Sequence, residues 1–234
     1  MKYYAIAKGR EIGIFKSWDE AKVLVEKYKG AIYKSFQCPQ DAVQFMKEHG
    51  ILEIGDFKTE TIPHIRFHRD GCMYYKDRYH IYTDGGVSYN KGVKRAQCGI
   101  FFGDGHSLNS NIPIHDKLVT NQRAELLAIQ NALELIRTNI IFNDRKILIC
   151  TDSEYSYKCL TKWYKGWENN DWKTLKGEEV KHKNILENIM KNVNNHGEIK
   201  FKHVRAHKDE PNGSDIIKYM DWYGNYQSDR LTRI

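Results

Sequence analysis

The sequence predicts an α/β protein in which a small β-β-α-β-α unit precedes a larger α/β domain. Two elements of the larger domain support this prediction most directly. A helix over 121–137 carries an apolar stripe typical of a helix with one buried face, formed by Leu126, Ile129, Leu133 and Ile136. Residues 147–150 form a continuous apolar run, typical of a strand covered on both faces. Strands and helices alternate along the rest of the chain, as in a sheet flanked by helices.

Residues 1–48 are predicted to form the small unit. Strands are expected at 2–7, 12–15 and 31–36. Ser17 followed by Glu20 has the spacing of a capping box, which predicts a helix over 21–28 that ends at Gly30. A second helix is expected over 39–47, because proline is favoured at the start of a helix.

Residues 49–78 lose this periodicity and are predicted to be a linker, because glycine and proline punctuate a polar stretch. The larger domain is expected over 79–234. Its elements are predicted in the order strand 79–83, strands near 96–102 and 107–114, helix 121–137, strand 146–151, helices to about 193, strand 199–204 and helix 216–231.

Composition argues against several classes of protein. No apolar run approaches the 18 residues of a membrane span. The first residues lack the apolar core of a signal or transit peptide, so an intracellular protein, cytoplasmic or nuclear, is expected. Five cysteines without a C-x-x-C pair argue against a disulfide framework or a zinc ribbon. The net charge of +7 favours a polyanionic partner, and no obligate protein partner is evident.

Three acidic residues stand where a fold has little structural reason to place them. Asp84 follows the first strand of the larger domain, Asp152 follows its apolar strand, and Glu125 lies in the first turn of the amphipathic helix. Taken singly, each acid has a structural alternative. Asp84 would be a turn residue, Asp152 a helix N-cap, and Glu125 an acid that compensates the helix dipole. Converging carboxylates repel one another unless they bind a cation, so together they favour a divalent metal with oxygen ligands.

Four motifs then occur in order: YTDGG at 82–86, TNQRAE at 120–125, CTDS at 150–153 and GNYQSD at 224–229. They resemble the four motifs of type 1 ribonuclease H, and TNQRAE is very specific. The resemblance covers 79–234 and implies that family's fold, a five-stranded mixed sheet with flanking helices. It also implies a set of metal-binding carboxylates, which are Asp84, Glu125, Asp152 and Asp229.

The activity implied by the resemblance is hydrolysis of the RNA strand of RNA–DNA hybrids, leaving 5′-phosphate and 3′-hydroxyl ends. Two Mg²⁺ ions, with Mn²⁺ as a substitute, would serve the attacking water and the departing oxygen. His207 would be the family's active-site histidine on a mobile loop; its alternative is a solvated histidine. Two other functions remain open: a catalytically silent hybrid-binding protein and a DNA-cutting or strand-transfer enzyme. The carboxylates argue against the first, and TNQRAE argues against the second.

The resemblance also implies contacts with the hybrid. Asn90, Asn121 and Gln122 would read the shallow groove, where amide groups both donate and accept, and Thr120 would help to hold a DNA phosphate. The stretch 163–173 resembles the family's basic protrusion, with its DNA-facing tryptophans. Of its rings, Trp163 and Trp167 would face the DNA or else pack, whereas Trp172 is expected to be structural.

The N-terminal unit resembles the hybrid-binding domain that precedes many eukaryotic enzymes of this family. Tyr4, Trp18 and Tyr33 would be the rings nearest sugar and base, and Lys34 would contact a phosphate. Phe36 is expected in the core.

The chain departs from the family pattern at several positions. Leu118 stands where many relatives have an arginine of the phosphate pocket, and His182 stands where they often have an asparagine. Ser35 replaces a lysine, and Ala206 replaces a glycine. The loop between His207 and Asp229 is also longer than usual.

Overall fold

The computed structural model describes residues 2–37, 39–51, 70–90, 92–116, 119–206, 210–211 and 215–233. They include two compact units, one within residues 2–51 and a larger one of residues 70–206 and 216–233. Within these ranges, no helix combines the length and the apolar character needed to cross a membrane.

The smaller unit is a three-stranded antiparallel sheet with two helices, in the predicted order. Its strands, in the sheet order β2-β1-β3, are β1 Tyr3–Lys8, β2 Gly13–Phe15 and β3 Ile32–Phe36. Its helices are α1 Trp18–Val25 and α2 Pro39–Glu48. Side chains alternate along a strand, so β1 packs against both helices. Ile6 contacts α1 on one face, whereas Ala5 contacts α2 on the other.

The first helix begins at the predicted cap and ends earlier than predicted. The Ser17 hydroxyl accepts a hydrogen bond from the backbone amide of Asp19 at 3.2 Å. The helix stops at Val25, and Lys27 then takes a left-handed φ of 57°. A left-handed residue cannot continue an α-helix, so the chain leaves the helical conformation before it reaches Gly30.

The larger unit contains a mixed sheet whose five main strands lie in the order β7-β6-β5-β8-β9. The strands are β5 Arg78–Asn90, β6 Val93–Phe101, β7 Ser110–Pro113, β8 Ile147–Thr151 and β9 Ile199–His203, with a short β4 Tyr74–Tyr75 paired to β5. Neighbours β5, β6 and β7 are antiparallel, whereas β8 and β9 run parallel to β5. The predicted five-stranded mixed sheet is confirmed.

Helices cover both faces of this sheet. They are α3 Asn121–Thr138, α4 Glu154–Lys158, α5 Tyr164–Glu168, α6 Lys183–His196 and α7 Ile216–Leu231, and a π-helical turn, Cys159–Trp163, joins α4 to α5. The predicted stripe of α3 is buried in the core beside Ile147 and Ile149. A Cβ on Gly85 would meet α3, and a Cβ on Gly86 would meet Thr232 beyond α7. Because successive strand residues face opposite sides, α3 and the end of α7 lie on opposite faces.

The structure moves one predicted boundary. The linker predicted over 49–78 includes residues 52–69, which lie outside the described residues, so it stays a prediction there. Residues 70–78 instead belong to the larger unit: Cys72 and Met73 are buried, and the Met73 amide donates to the carbonyl of Phe102 at 2.7 Å. Cys72 and Met73 therefore attach this segment to the larger unit. Two adjacent apolar residues in a polar stretch form neither a helical nor a strand pattern, so the sequence did not predict their burial.

Candidate active site

Two of the predicted carboxylates come from neighbouring parallel strands. Thr83 of β5 pairs with Thr151 of β8, so Asp84 and Asp152, the next residues, lie at the same level of the sheet. Asp84 continues β5 and is 8% exposed, whereas Asp152 directly follows the last residue of β8. The sheet register therefore brings these two acids together.

Glu125 of α3 carries the third carboxylate. It is expected in the first turn of this helix, but α3 begins at Asn121, so Glu125 lies at the start of the second turn. Thr120 caps this helix, because its hydroxyl accepts a hydrogen bond from the Arg123 amide at 3.2 Å. One oxygen from each of Asp84, Glu125 and Asp152 lies within 4.8 Å of the others. The structure thus joins three of the four predicted acids, Asp84, Glu125 and Asp152, in one group, the carboxylate cluster.

Burial and mutual repulsion raise the pKa values of two acids of this cluster, Asp84 and Glu125. Burial, followed by the charges of Asp152 and Asp229, raises the pKa of Asp84 from 3.8 to about 6. Burial also raises the pKa of Glu125 well above its usual range, and Asp84 and Asp152 add to that effect. The cluster is therefore costly to ionise without a counter-charge.

Asp229 lies outside the 4.8 Å group but near enough for its charge to affect Asp84. Its carboxylate forms an ion pair with Arg233, one turn later on the chain, at 2.5 Å. A Cβ on Gly99, which pairs with Asp84, would lie 2.0 Å from the Ser228 carbonyl, so β6 and the end of α7 meet backbone to backbone. His207 lies outside the described residues.

Two polar side chains contact the cluster that the sequence did not assign. The Thr232 hydroxyl shares its proton between Asp84 Oδ2 at 3.1 Å and the carbonyl oxygen of Asp229 at 2.8 Å. Asn225 donates from Nδ2 to Asp152 Oδ2 at 3.2 Å. The sequence signal for Asn225 is its spacing, four residues before Asp229, which places both on one face of α7.

The chemistry of the cluster fits a hard divalent cation. Its ligands are carboxylate oxygens, the type that Mg²⁺ takes in proteins. Oε2 of Glu125 is buried, and within the described chain it has no hydrogen-bond partner. A cation would satisfy this atom and offset the repulsion that raises the pKa of Asp84 and Glu125.

Two of the predicted groove contacts lie near the cluster along the sequence. Asn121 and Gln122 are exposed in the first turn of α3, within four residues of Glu125. Asn90 ends β5 opposite Val93, and only its backbone is described.

The tryptophans after β8 differ in environment. Trp163 is 40% exposed, while Trp167 packs against the core; their ring centroids are 5.6 Å apart. Trp172 is buried, in agreement with its predicted structural role. Trp163 is therefore the ring of the three with the most surface free for a ligand.

In the smaller unit, three predicted rings form a row. Trp18 lies between Tyr4 and Tyr33, with centroid distances of 5.4 and 5.9 Å. Lys34 does not join this row. It follows Tyr33 in β3 and so faces the other side of the sheet, where its Nζ lies 5.6 Å from the Phe36 ring centroid.

Comparisons with known proteins agree with this architecture. The RNase H family model matches residues 76–233, and a model described as the Ribonuclease H1 N-terminal domain matches residues 2–46. The solution structure of the PFV RNase H domain resembles this chain with a TM-score of 0.51 and 23% identity, over 66% of this chain and 91% of that one. This likeness concerns the fold.

Curated relatives extend over both units. Ribonuclease H1 of Homo sapiens is 28% identical over an alignment of 271 positions, gaps included, which covers 99% of this chain and 88% of that protein. Ribonuclease H of Schizosaccharomyces pombe is 28% identical over 273 positions, covering 99% and 96%. Because the RNase H model spans more than half of the residues, the chain belongs to the RNase H family and is a ribonuclease.

Proposed function

We propose that this protein is an endoribonuclease that hydrolyses the RNA strand of RNA–DNA hybrids and leaves 5′-phosphate and 3′-hydroxyl ends. The observation that carries the proposal is the convergence of Asp84, Glu125 and Asp152 within 4.8 Å in a chain of the RNase H family. A silent hybrid-binding protein would have no need for three converging acids, of which Asp84 and Glu125 have raised pKa values.

In this proposal the carboxylate cluster and Asp229 hold two Mg²⁺ ions, for which Mn²⁺ can substitute. When bound, the ions supply a water of lowered pKa and stabilise the negative charge on the departing oxygen. Asn225 and Thr232 act on the carboxylates themselves. Each donates to one oxygen of its acid, which helps to fix the side-chain rotamer.

Strand choice is proposed to come from amide side chains at the start of α3. Asn121 and Gln122 are exposed there and can donate to and accept from a 2′-hydroxyl, which DNA lacks. Thr120 uses an oxygen lone pair for capping, so its O–H stays able to donate to a phosphate. Trp163 would stack against the DNA strand, with Trp167 behind it, and His207 would assist proton transfer or product release.

Residues 1–48 are proposed to act as a hybrid-binding domain joined by a linker to the catalytic domain. The row of Tyr4, Trp18 and Tyr33 offers faces for stacking, and each stacked ring contributes on the order of 1–3 kcal/mol. Tethering raises the local concentration of the catalytic domain, with avidity gains of roughly 10²- to 10⁴-fold. Lys34, on the opposite face from Tyr33, would add charge attraction rather than a contact within the row.

The decisive experiment compares Asp152→Asn with the wild type in single-turnover cleavage of an end-labelled hybrid, with Mg²⁺ or EDTA. The variant removes a ligand charge at nearly constant shape. Cleavage is expected to fall at least about 100-fold, which exceeds the loss typical of a residue that contacts only the metal ligands. Asp144→Asn is the matched control, because Asp144 is exposed and its φ of 57° suits asparagine equally well. Wild-type cleavage by Asp152→Asn would refute the metal-site assignment.

Substrate and products are tested in the same assay. The hybrid should be cut in its RNA strand alone, whereas a DNA duplex of the same sequence should bind without being cut. A 5′-phosphate on the downstream product is expected and can be detected by its sensitivity to phosphatase. Comparable cutting of the DNA duplex would contradict the proposed 2′-hydroxyl readout.

A further inference from the structure

A second polar group joins α7 to the strands that lead to the carboxylate cluster. A ring nitrogen of His80, Sγ of Cys150 and a carboxylate oxygen of Asp221 lie within 4.8 Å of one another. These donor types suit a transition metal, but the group already contains a cation. Nζ of Lys202 lies 2.6 Å from Asp221 Oδ2 and 2.9 Å from Oδ1. The group is therefore organised around a protein ion pair.

Tyr82 brings a second strand to the same carboxylate. Its side chain is fully buried, and its hydroxyl donates to Asp221 Oδ1 at 3.4 Å. Its ring lies flat against α7 at Gly224, where a Cβ would come within 2.3 Å of ring carbons. Asp221 is thus held by Tyr82 of β5 and by Lys202 of β9, while Gly224 allows the helix to approach.

The position of Asp221 on its helix links this contact to the active site. Asp221, Asn225 and Asp229 are spaced four residues apart, so they share one face of α7 and lie about 6 Å apart along its axis. Asn225 donates to Asp152, and the charge of Asp229 acts on Asp84. A slip of one residue would rotate this face by about 100° and remove both interactions.

We infer that Asp221 is a positioning residue, which together with Lys202 and Tyr82 sets the axial position and rotation of α7 and thereby presents Asn225 and Asp229 to the carboxylate cluster. An ion pair suits this role better than apolar packing, because hydrogen-bond geometry specifies one register whereas apolar contacts tolerate several. For its metal-binding consequence, the inference rests on the proposed function.

The test uses the full chain with Asp221→Asn, Lys202→Met and the double variant. Lys202→Met keeps an aliphatic stem on a side chain that is 29% exposed, so it provides a variant with minimal change in packing. Glu134→Gln is the control, because Glu134 forms an exposed ion pair with Arg137 on α3, away from this group. The first readout is hydrogen exchange of the Asn225 side-chain amide, followed by NMR without metal. The second is Mn²⁺ affinity, measured by calorimetry.

Both single variants should accelerate exchange of the Asn225 amide and weaken Mn²⁺ binding about 10- to 100-fold. The double variant should lose little more than either single variant, because the two residues act as one unit. Glu134→Gln should behave as the wild type. A lower melting temperature with unchanged Asn225 exchange and Mn²⁺ affinity would overturn the inference, since the ion pair would then be merely stabilising. Absence of Mn²⁺ binding in the wild type would contradict the proposed function, whereas the Asn225 exchange would still decide the positioning role.

Discussion

Gly85 and Glu125 approach so closely that a Cβ on the glycine would lie 2.2 Å from the backbone nitrogen of Glu125. The same Cβ would lie 2.3 Å from the carbonyl carbon of Ala124. Strand β5 and the first turn of α3 therefore meet backbone to backbone. This contact allows the carboxylate of Glu125 to reach that of Asp84, the residue before the glycine.

Gly85→Ala should consequently displace α3 and lower the free energy of unfolding by about 3 kcal/mol or more, because backbone atoms cannot yield as a side chain can. Gly166→Ala is the control, since a Cβ there meets no atom within 4 Å and the residue is helical. The control should gain up to about 1 kcal/mol. Urea unfolding measures both values. Equal stability of Gly85→Ala and the wild type would contradict the close packing of β5 and α3.

Asp84→Asn should stabilise the metal-free protein at neutral pH. The folded-state pKa of Asp84 is raised from 3.8 to about 6, chiefly by burial and then by Asp152 and Asp229. Between these pH values the unfolded chain loses its proton first, so this group makes stability fall as pH rises from about 4 to 6. The variant should therefore exceed the wild type by about 1–3 kcal/mol at pH 7 and show no such gain below pH 4.

Urea unfolding in EDTA at both pH values provides the measurement. Mg²⁺ should raise the free energy of unfolding of the wild type more than that of Asp84→Asn, because binding to the folded state alone stabilises it. A variant that is less stable than the wild type at pH 7 without metal would show that Asp84 is not under charge repulsion.

Trp18→Ala should weaken hybrid binding by about 1–3 kcal/mol, the contribution of one stacked ring. Trp18 is the middle ring of the row and is 39% exposed. Val23→Ala is the control, because Val23 is 62% exposed on the same helix and lies outside the row. Fluorescence anisotropy with a labelled hybrid measures the affinities. A loss with Lys34→Ala as large as with Trp18→Ala would mean that the hybrid contacts both faces of the small sheet.

Trp163→Ala and Trp167→Ala should separate binding from packing. Trp163 is 40% exposed, so its removal should reduce hybrid affinity with less than about 1 kcal/mol of change in stability. Trp167 packs against the core, so its removal should lower the free energy of unfolding by about 1–3 kcal/mol. Unfolding and anisotropy on both variants provide the test. The reverse pattern would exclude Trp163 as a ligand-facing ring.

The spacing of apolar residues predicts the helices and strands in which buried and exposed side chains alternate regularly. Helix α7 has the predicted bounds 216–231, and α3 extends one residue beyond its predicted end. Strand β5 was predicted over 79–83 but continues to Asn90, since its second half pairs with β6 as far as Val93. Glycines and polar residues interrupt its apolar alternation there, so the extension depends on a long-range partner that no local pattern contains.

The candidate site shows the same division. The order of the motifs is enough to select Asp84, Glu125 and Asp152, and the structure joins them. The contact of Asn225 with Asp152 was not predicted, because it depends on how α7 is rotated against the sheet. By contrast, Tyr33 and Lys34 are adjacent in a strand, so their side chains point to opposite faces of the sheet. This difference could have been predicted from the sequence.

The hydrogen bond between Thr232 and Asp84 joins residues 148 positions apart and has a consequence for biosynthesis. A ribosome releases the strand that carries Asp84 long before it releases α7. During that interval the nascent chain can fold its N-terminal unit, but it lacks Asn225, Asp229 and Thr232. A partly synthesised chain would therefore be able to associate with nucleic acid before it was equipped to cut it, and nuclease competence would begin only after translation of α7 and Thr232.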